Sequence, residues 1–179
     1  MNNDVKEILL TEEQIKEKII ELGNRITSDY REVSNLLVIG ILKGSFIFMA
    51  DLVREIKIPC EIDFMSVSSY QDATSSSGEV KIRKDITINV AKKNIVFVED
   101  IIDTGFTMSK IKEMFFERGA NSIKICALLN KPDRRKVSVN IDYKGFDIPD
   151  EFVIGYGLDY ADKYRNLPFI GVLSPKVYE

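Results

Sequence analysis

The sequence contains no histidine. That removes the commonest general base near neutral pH and the commonest zinc ligand, so acid-base work falls to Asp, Glu, Lys or Tyr. Only two cysteines are present, Cys60 and Cys126, each isolated in an apolar, strand-like run. Reduced core thiols are expected rather than a disulfide, and with them a cytoplasmic location. Apolar runs such as Leu36 to Leu42 stop far short of the ~20 residues a membrane helix needs. Met1 to Leu10 carries acidic residues where a signal peptide would carry an apolar core. Excess positive charge is also missing, since 25 Lys and Arg stand against 28 Asp and Glu for a net charge of -3. No overall basic field draws the chain onto nucleic acid or a membrane, and a polyanionic ligand must be held locally.

What is present is a balance of 45% hydrophobic and 30% charged residues over 179 positions, as expected for one folded domain spanning 1–179. Thr11 and Gln14 form a capping-box pattern, and Ile15, Ile19, Leu22 and Ile26 follow at helical spacing, which predicts a first helix ending near Arg25 to Ser28. Leu36 to Leu42, Ile95 to Val98 and Ile123 to Leu129 are short apolar runs of the kind buried on both faces of a parallel sheet. Helical patterns follow the first run (Phe46, Met49, Ala50, Val53) and the second (Met108, Ile111, Phe115, closed by Gly119). The alternation predicts an α/β fold with a central, mostly parallel sheet flanked by helices. Cys60 to Val67 and Val80 to Val90 alternate apolar and polar residues, as more exposed strands forming a hairpin would. The polar stretch between them, Gln71 to Gly78, reads as a mobile surface loop or as an active-site lid.

The segment Val96-Phe97-Val98-Glu99-Asp100-Ile101-Ile102-Asp103-Thr104-Gly105-Phe106-Thr107 carries the strongest chemical signal. A buried strand delivers two carboxylates at its C-terminal end, where ligand crevices of open α/β sheets lie. A small-residue turn then opens a helix, and its backbone N–H groups and two hydroxyls suit a phosphate monoester. It lacks the lysine of a nucleoside-triphosphate loop. Carboxylates beside an anion cradle accept bonds from ribose hydroxyls or coordinate Mg2+. Together they describe a sugar phosphate.

This segment closely resembles the phosphoribosyl pyrophosphate motif of type I phosphoribosyltransferases. Leu42-Lys43-Gly44-Ser45 resembles the pyrophosphate loop of their hypoxanthine-guanine branch, Ser68-Ser69-Tyr70 its lid, and Phe152 to Tyr160 with Arg165 its purine- and pyrophosphate-binding hood. The resemblance implies a type I phosphoribosyltransferase fold, with a lid at about 68–80 and a small hood from about 150–179 with the N-terminal segment. It implies transfer of a phosphoribosyl group from phosphoribosyl pyrophosphate to N9 of hypoxanthine or guanine, giving IMP or GMP and pyrophosphate, with Mg2+ as cofactor and a homodimer or homotetramer as the assembly. By the same resemblance Asp103 handles the purine N7 proton, and Asp103, Thr104, Gly105, Phe106 and Thr107 form the 5'-phosphate site. Glu99 and Asp100 hold the ribose and metal. Lys43, Gly44 and Arg165 bind pyrophosphate, and the Leu42–Lys43 peptide is cis. Lys131, Phe152, Val153 and Asp159 bind the purine, with Asp159 also near a second metal, and Ser69 and Tyr70 belong to the lid.

On residue type alone Lys131 reads as a solvated turn lysine and Phe152 as core packing, while Arg134-Arg135-Lys136 reads as a solvated loop or subunit contact. An alternative class, a nucleotide-sensing regulator on the same fold, is opposed by the acidic pI of about 5.2 and by Asp103. A pyrimidine-specific transferase is opposed by the Lys131 and Phe152 segments.

Overall fold

Residues 4–69 and 80–177 are described in the structure, a computed structural model. In chain order the elements are β1 (Val5–Leu10), α1 (Glu12–Asp29), β2 (Leu36–Leu42), α2 (Phe46–Glu55), β3 (Glu61–Ser69), β4 (Val80–Lys84), β5 (Asn94–Ile102), α3 (Phe106–Glu117), β6 (Ser122–Asn130), β7 (Tyr143–Asp147), β8 (Val153–Ile154) and β9 (Ile170–Leu173). Thr11 caps α1, with the reciprocal bonds of a capping box to Gln14. Gly119, at φ +87°, terminates α3 in the left-handed conformation that glycine adopts most readily.

Six strands form the main sheet in the order β4-β3-β2-β5-β6-β7, all parallel except β4. Register places Leu37, Ile95 and Ile123 in one row and Ile39, Phe97 and Ile125 in another. Both rows face α3, where Phe97 meets Phe115 edge to face at 4.9 Å. The alternate residues, Val38, Val96, Val98 and Cys126, face α1 and α2. Period-two alternation in a sheet covered on both sides thus explains why these strands read as unbroken apolar runs. Both cysteines are free, as expected.

At the N-terminal end of the sheet, Asp29 accepts hydrogen bonds from Tyr143 Oη (2.7 Å) and Lys124 Nζ (2.8 Å), tying α1 to β6 and β7. The C-terminal end is left to a second, antiparallel sheet, β1-β9-β8, which joins the two ends of the chain, with Leu10 opposite Ile170. Among the described residues no helix is long and apolar enough to cross a membrane.

Two expectations change. The strand expected to run to Val90 ends at Lys84, because the Asp63 carboxylate of β3 takes the N–H groups of Thr87 (2.7 Å) and Ile88 (3.2 Å) and the Thr87 hydroxyl (3.1 Å). Those amides cannot serve a ladder as well. Strands β1, β7 and β9 were not apparent in the sequence. Segment 70–79 lies outside the described residues, and with it most of the proposed lid.

Asp63 is only 10% exposed. Burial pushes its pKa up, but the N–H bonds from Thr87, Phe64 and Ile88 and the Thr87 hydroxyl outweigh this and hold it below the ordinary carboxylate value. Asp63→Ala strands these donors and is expected to cost about 1 to 3 kcal/mol in urea unfolding. A carboxyl depressed in the folded state stabilises above its unfolded pKa of about 4 and loses that contribution as pH falls through the folded value. The difference between wild type and variant should therefore be full at about pH 6 and shrink below about pH 4.

Candidate active site

The C-terminal end of β5 divides its two acids between the faces of the sheet. Glu99 points toward α3 and lines a hollow of about 220 Å³ with Asp103, Thr104, Gly105, Thr107 and Met108. Asp100 points to the other side, where a Cβ on Gly44 would lie 1.7 Å from its Oδ2. Glu99 Oε2 is buried with no hydrogen-bond partner. Burial, then the neighbouring Asp100 charge, push the Glu99 pKa well above the ordinary carboxylate value. Burial pushes Asp100 up to about 6, against the N–H of Ile101 and the charge of Arg165. Such a pair favours a cation or hydroxyl donors nearby.

Beyond β5 the chain turns through Gly105, at φ +90°, into α3. A Cβ there would meet Val137 O at 2.6 Å, so the turn requires glycine on two counts. The first-turn amides of a helix have no intrahelical acceptor, and here Thr107 and Met108 of that turn line the hollow, as an anion site requires. Thr104 O accepts from the N–H of Lys136 and Val137, each at 3.0 Å. Arg135 donates from Nε to Asp103 O (3.0 Å) and from a terminal nitrogen to Asn130 Oδ1. Arg134 and Lys136 are exposed, as expected of a solvated loop, whereas Arg135 is half-buried, and the segment backs the 103–107 turn through the Arg135 side chain and the amides of Lys136 and Val137. Apart from the Arg135 side chain the donors are backbone amides, and the turn's acceptors are main-chain oxygens, which leaves no sequence pattern to find them by.

The opposite wall is the Lys43–Gly44 turn, entered through a cis Leu42–Lys43 peptide. It packs against Gly157, where a Cβ would lie 2.0 Å from Gly44 O. Lys43 Nζ is paired with Asp162 at 2.9 Å. Arg165 bonds Asp159 at 2.7 Å and Gly157 O at 2.7 Å. Asp162 was not anticipated, although its two cationic neighbours were. The charges of Arg165 and Asp159 both act on the Asp100 carboxyl, Arg165 lowering its pKa and Asp159 raising it, so Lys43, Gly44, Asp100, Asp159 and Arg165 form one cluster.

A third group completes the edge. Lys131, at the end of β6, is buried, not solvated, and donates to Glu151 O at 2.7 Å. This anchors it at the root of Phe152, whose ring is 46% exposed and not core packing. Phe152 meets Tyr160 edge to face at 5.7 Å, beside Asp159. Val153 is buried in β8 opposite Val172. An exposed ring beside a buried ammonium suits a flat polar ligand. Ser69 ends β3, and Tyr70 lies outside the described residues.

An anion cradle, a cation pair and an aromatic shelf, gathered where the parallel strands end, define a site for a sugar phosphate bearing a flat ring. The family model for the phosphoribosyl transferase domain matches residues 6–161. A hypoxanthine-guanine phosphoribosyltransferase of Bacillus subtilis is 52% identical over 179 residues, covering 100% of this chain and 99% of that protein. A Staphylococcus aureus hypoxanthine phosphoribosyltransferase superposes with a TM-score of 0.96 at 50% identity, covering 100% of this chain and 97% of its own. A Trypanosoma cruzi hypoxanthine phosphoribosyltransferase, solved as a ternary substrates complex, gives 0.93 at 40% identity, covering 99% of this chain and 100% of its own. The chain belongs to the hypoxanthine-guanine phosphoribosyltransferase family.

Gly44→Ala forces a carbon into the Asp100 carboxylate. Overpacking of this kind costs about 1 to 3 kcal/mol of stability, and the displaced acid should lower turnover by more than the loss of folded protein accounts for. Steady-state rates alongside thermal melts of the purified variant check both.

Proposed function

We propose that this chain transfers the 5-phosphoribosyl group of phosphoribosyl pyrophosphate to N9 of hypoxanthine or guanine, giving IMP or GMP and pyrophosphate. The observation that carries the reading is the convergence at one sheet edge of the 103–107 turn, the Lys43–Arg165 cation pair and Lys131 beside Phe152. Thr104, Gly105, Phe106 and Thr107, with the first amides of α3, bind the 5'-phosphate, and Glu99 and Asp100 accept from the ribose hydroxyls. Lys43, the Gly44 backbone and Arg165 bind pyrophosphate by exchanging their present carboxylate partners for phosphate oxygens. Phe152 stacks on the purine, and the backbone of Val153 meets its Watson-Crick edge.

The chemistry is a displacement at C1' of the ribose. The bond from C1' to the pyrophosphate oxygen breaks as N9 of the purine bonds to C1', and the N7 proton passes to the Asp103 carboxylate. Oriented donors at Lys43, Arg165 and the turn amides stabilise the charge that develops on the leaving group. No covalent intermediate with the protein is required.

The donor set fits Mg2+. Glu99 and Asp100 are carboxylates with raised pKa values, and Glu99 Oε2 is buried without a partner. Mg2+ is commonly held by one or two carboxylates, with substrate phosphates completing its shell. Glu99, Asp100 and, for a second ion, Asp159 would hold it, and when bound it neutralises negative charge on pyrophosphate. The enzyme works in the cytoplasm as a homodimer or homotetramer.

Purified protein assayed with phosphoribosyl pyrophosphate and each purine should turn over hypoxanthine and guanine, and lose this activity in excess chelator. Adenine should be nearly inert, because Lys131 has three donors and no acceptor and would face an amino group. Sites that hydrogen-bond one group reject the analogue lacking it by ~10,000-fold or more. Lys131→Ala should narrow the hypoxanthine-to-adenine ratio of kcat/KM mainly by losing hypoxanthine. Adenine use by the wild type would overturn the 6-oxopurine reading.

A further inference from the structure

Asp103 and Lys131 are joined by a chain of charges to which no role has yet been given. Arg134 Nε donates to Asp103 Oδ1 at 2.7 Å, and its terminal nitrogen reaches Asp150 Oδ2 at 3.4 Å. The other oxygen of Asp150 stands 3.4 Å from Lys131 Nζ, which is held in addition by Glu151 O at 2.7 Å. The Lys131 side chain is 11% exposed, whereas those of Asp103, Arg134 and Asp150 lie between 39% and 47%. Ion pairs so exposed contribute little to stability. Their convergence on the site therefore asks for another explanation.

The chemistry of the base supplies one. In a 6-oxopurine, O6 and N7 are neighbours on one edge and are read together by a single protein surface. On the reading above, which this inference rests on, Lys131 donates to O6 and Asp103 handles N7, so both address that edge. Asp150 and Arg134 span the two residues alongside it. Lysine is a point charge on a flexible four-carbon stem, and one carbonyl does not fix where its ammonium sits. Arginine, by contrast, is a planar fork that fixes what it binds. Arg134 engages Oδ1 of Asp103, so the carboxylate is oriented with Oδ2 as the oxygen left to take a proton.

We propose that Asp150 and Arg134 are positioning residues, a two-membered strut that sets the spacing and orientation of Lys131 and Asp103 for the O6–N7 edge of the purine. Asp150 acts on base binding through Lys131, and Arg134 acts on proton transfer through Asp103. The phosphoribosyl half of the site is held independently, by Arg135 on Asp103 O and by Lys136 and Val137 on Thr104 O.

The test is steady-state kinetics of the full chain in which KM for hypoxanthine, KM for phosphoribosyl pyrophosphate and kcat are measured separately, with thermal melts as a check. Asp150→Ala should raise KM for hypoxanthine about tenfold, the effect of one hydrogen bond to a charged group, and leave KM for phosphoribosyl pyrophosphate and the melting temperature unchanged. Asp150→Asn keeps an acceptor for Lys131 but no charge toward Arg134, so it should restore most of the purine KM. Arg134→Gln should lower kcat about tenfold and, because it also releases Asp150 from its side of the strut, raise KM for hypoxanthine, with KM for phosphoribosyl pyrophosphate little changed. Because the two act as one strut, the double variant Arg134→Gln/Asp150→Ala should lose distinctly less kcat/KM than the product of the single losses. Multiplicative losses, parallel rises in both KM values, or an unchanged purine KM in Asp150→Ala would each overturn the strut. Lys131→Ala separates this from the reading beneath it. If Lys131→Ala raises the purine KM and Asp150→Ala does not, the strut alone is wrong; if neither does, the assignment of Lys131 falls with it.

Discussion

At the end of β5 three segments far apart in sequence touch with no space for one added carbon. Gly44 lies against the Asp100 carboxylate, and Gly157 lies against the carbonyl of Gly44. Backbone therefore meets backbone where two walls of the site join, and side-chain flexibility has no part in their separation. Lys43 follows from its place next to Gly44, and Asp159 and Arg165 follow from the loop that Gly157 begins. The third wall is fixed in a similar way, by hydrogen bonds onto the main-chain oxygens of Asp103 and Thr104. A polyanion with a long reach needs cations at set distances, and these contacts set them.

Charge within the site is balanced before any ligand arrives. Lys43 is matched by Asp162, Arg165 by Asp159, and Arg134 by Asp103 and Asp150. On the proposed reading a ligand phosphate would replace a carboxylate and would not meet a bare cation. Arg165 is already largely withdrawn from water, its side chain 20% exposed, whereas Lys43 is 69% exposed and would give up its water only on binding. This arrangement also suits a chain with no net positive field. Glu99 is the exception, with a buried oxygen that no donor meets.

How much of this was legible beforehand depended on the range of the interaction concerned. The capping box at Thr11, the run Leu36–Leu42 and the turn at 103–107 are local patterns, and the structure has them where the sequence puts them. β5 and β6 extend beyond their apolar cores because Glu99, Asp100 and Asn130 are in strand without being apolar. β1, β7 and β9 are strands through their partners, not through their own composition. Val80 to Val90 alternates well enough for a longer strand, yet a single acid, Asp63, diverts its amides. The site shows the same division. Lys131 and Phe152 took their meaning only from resemblance, since burial of one and exposure of the other are tertiary facts. Asp150 and Asp162 escaped altogether, and Arg135 was read only as part of a charged run, because the contacts that give them a role, to Arg134, Lys43 and Asp103, are ones no spacing encodes.

The main sheet is open, and its outer strands are short. β4 has five residues, three of them Lys81, Arg83 and Lys84, and β7 has five with Lys144 near its start. An open sheet normally offers its rim as a template on which a further strand, from a second molecule or from a partly unfolded one, can add. Here both rims are brief, that of β4 is strongly positive, and α1 holds the inner end of β7, whose Lys144 is paired with Asp147, through Asp29 and Tyr143. Growth of the sheet from molecule to molecule is blocked at both sides. Two copies that met would do so through side chains on helix and sheet faces, where a two-fold contact closes on itself, whereas strand addition runs on into a fibre.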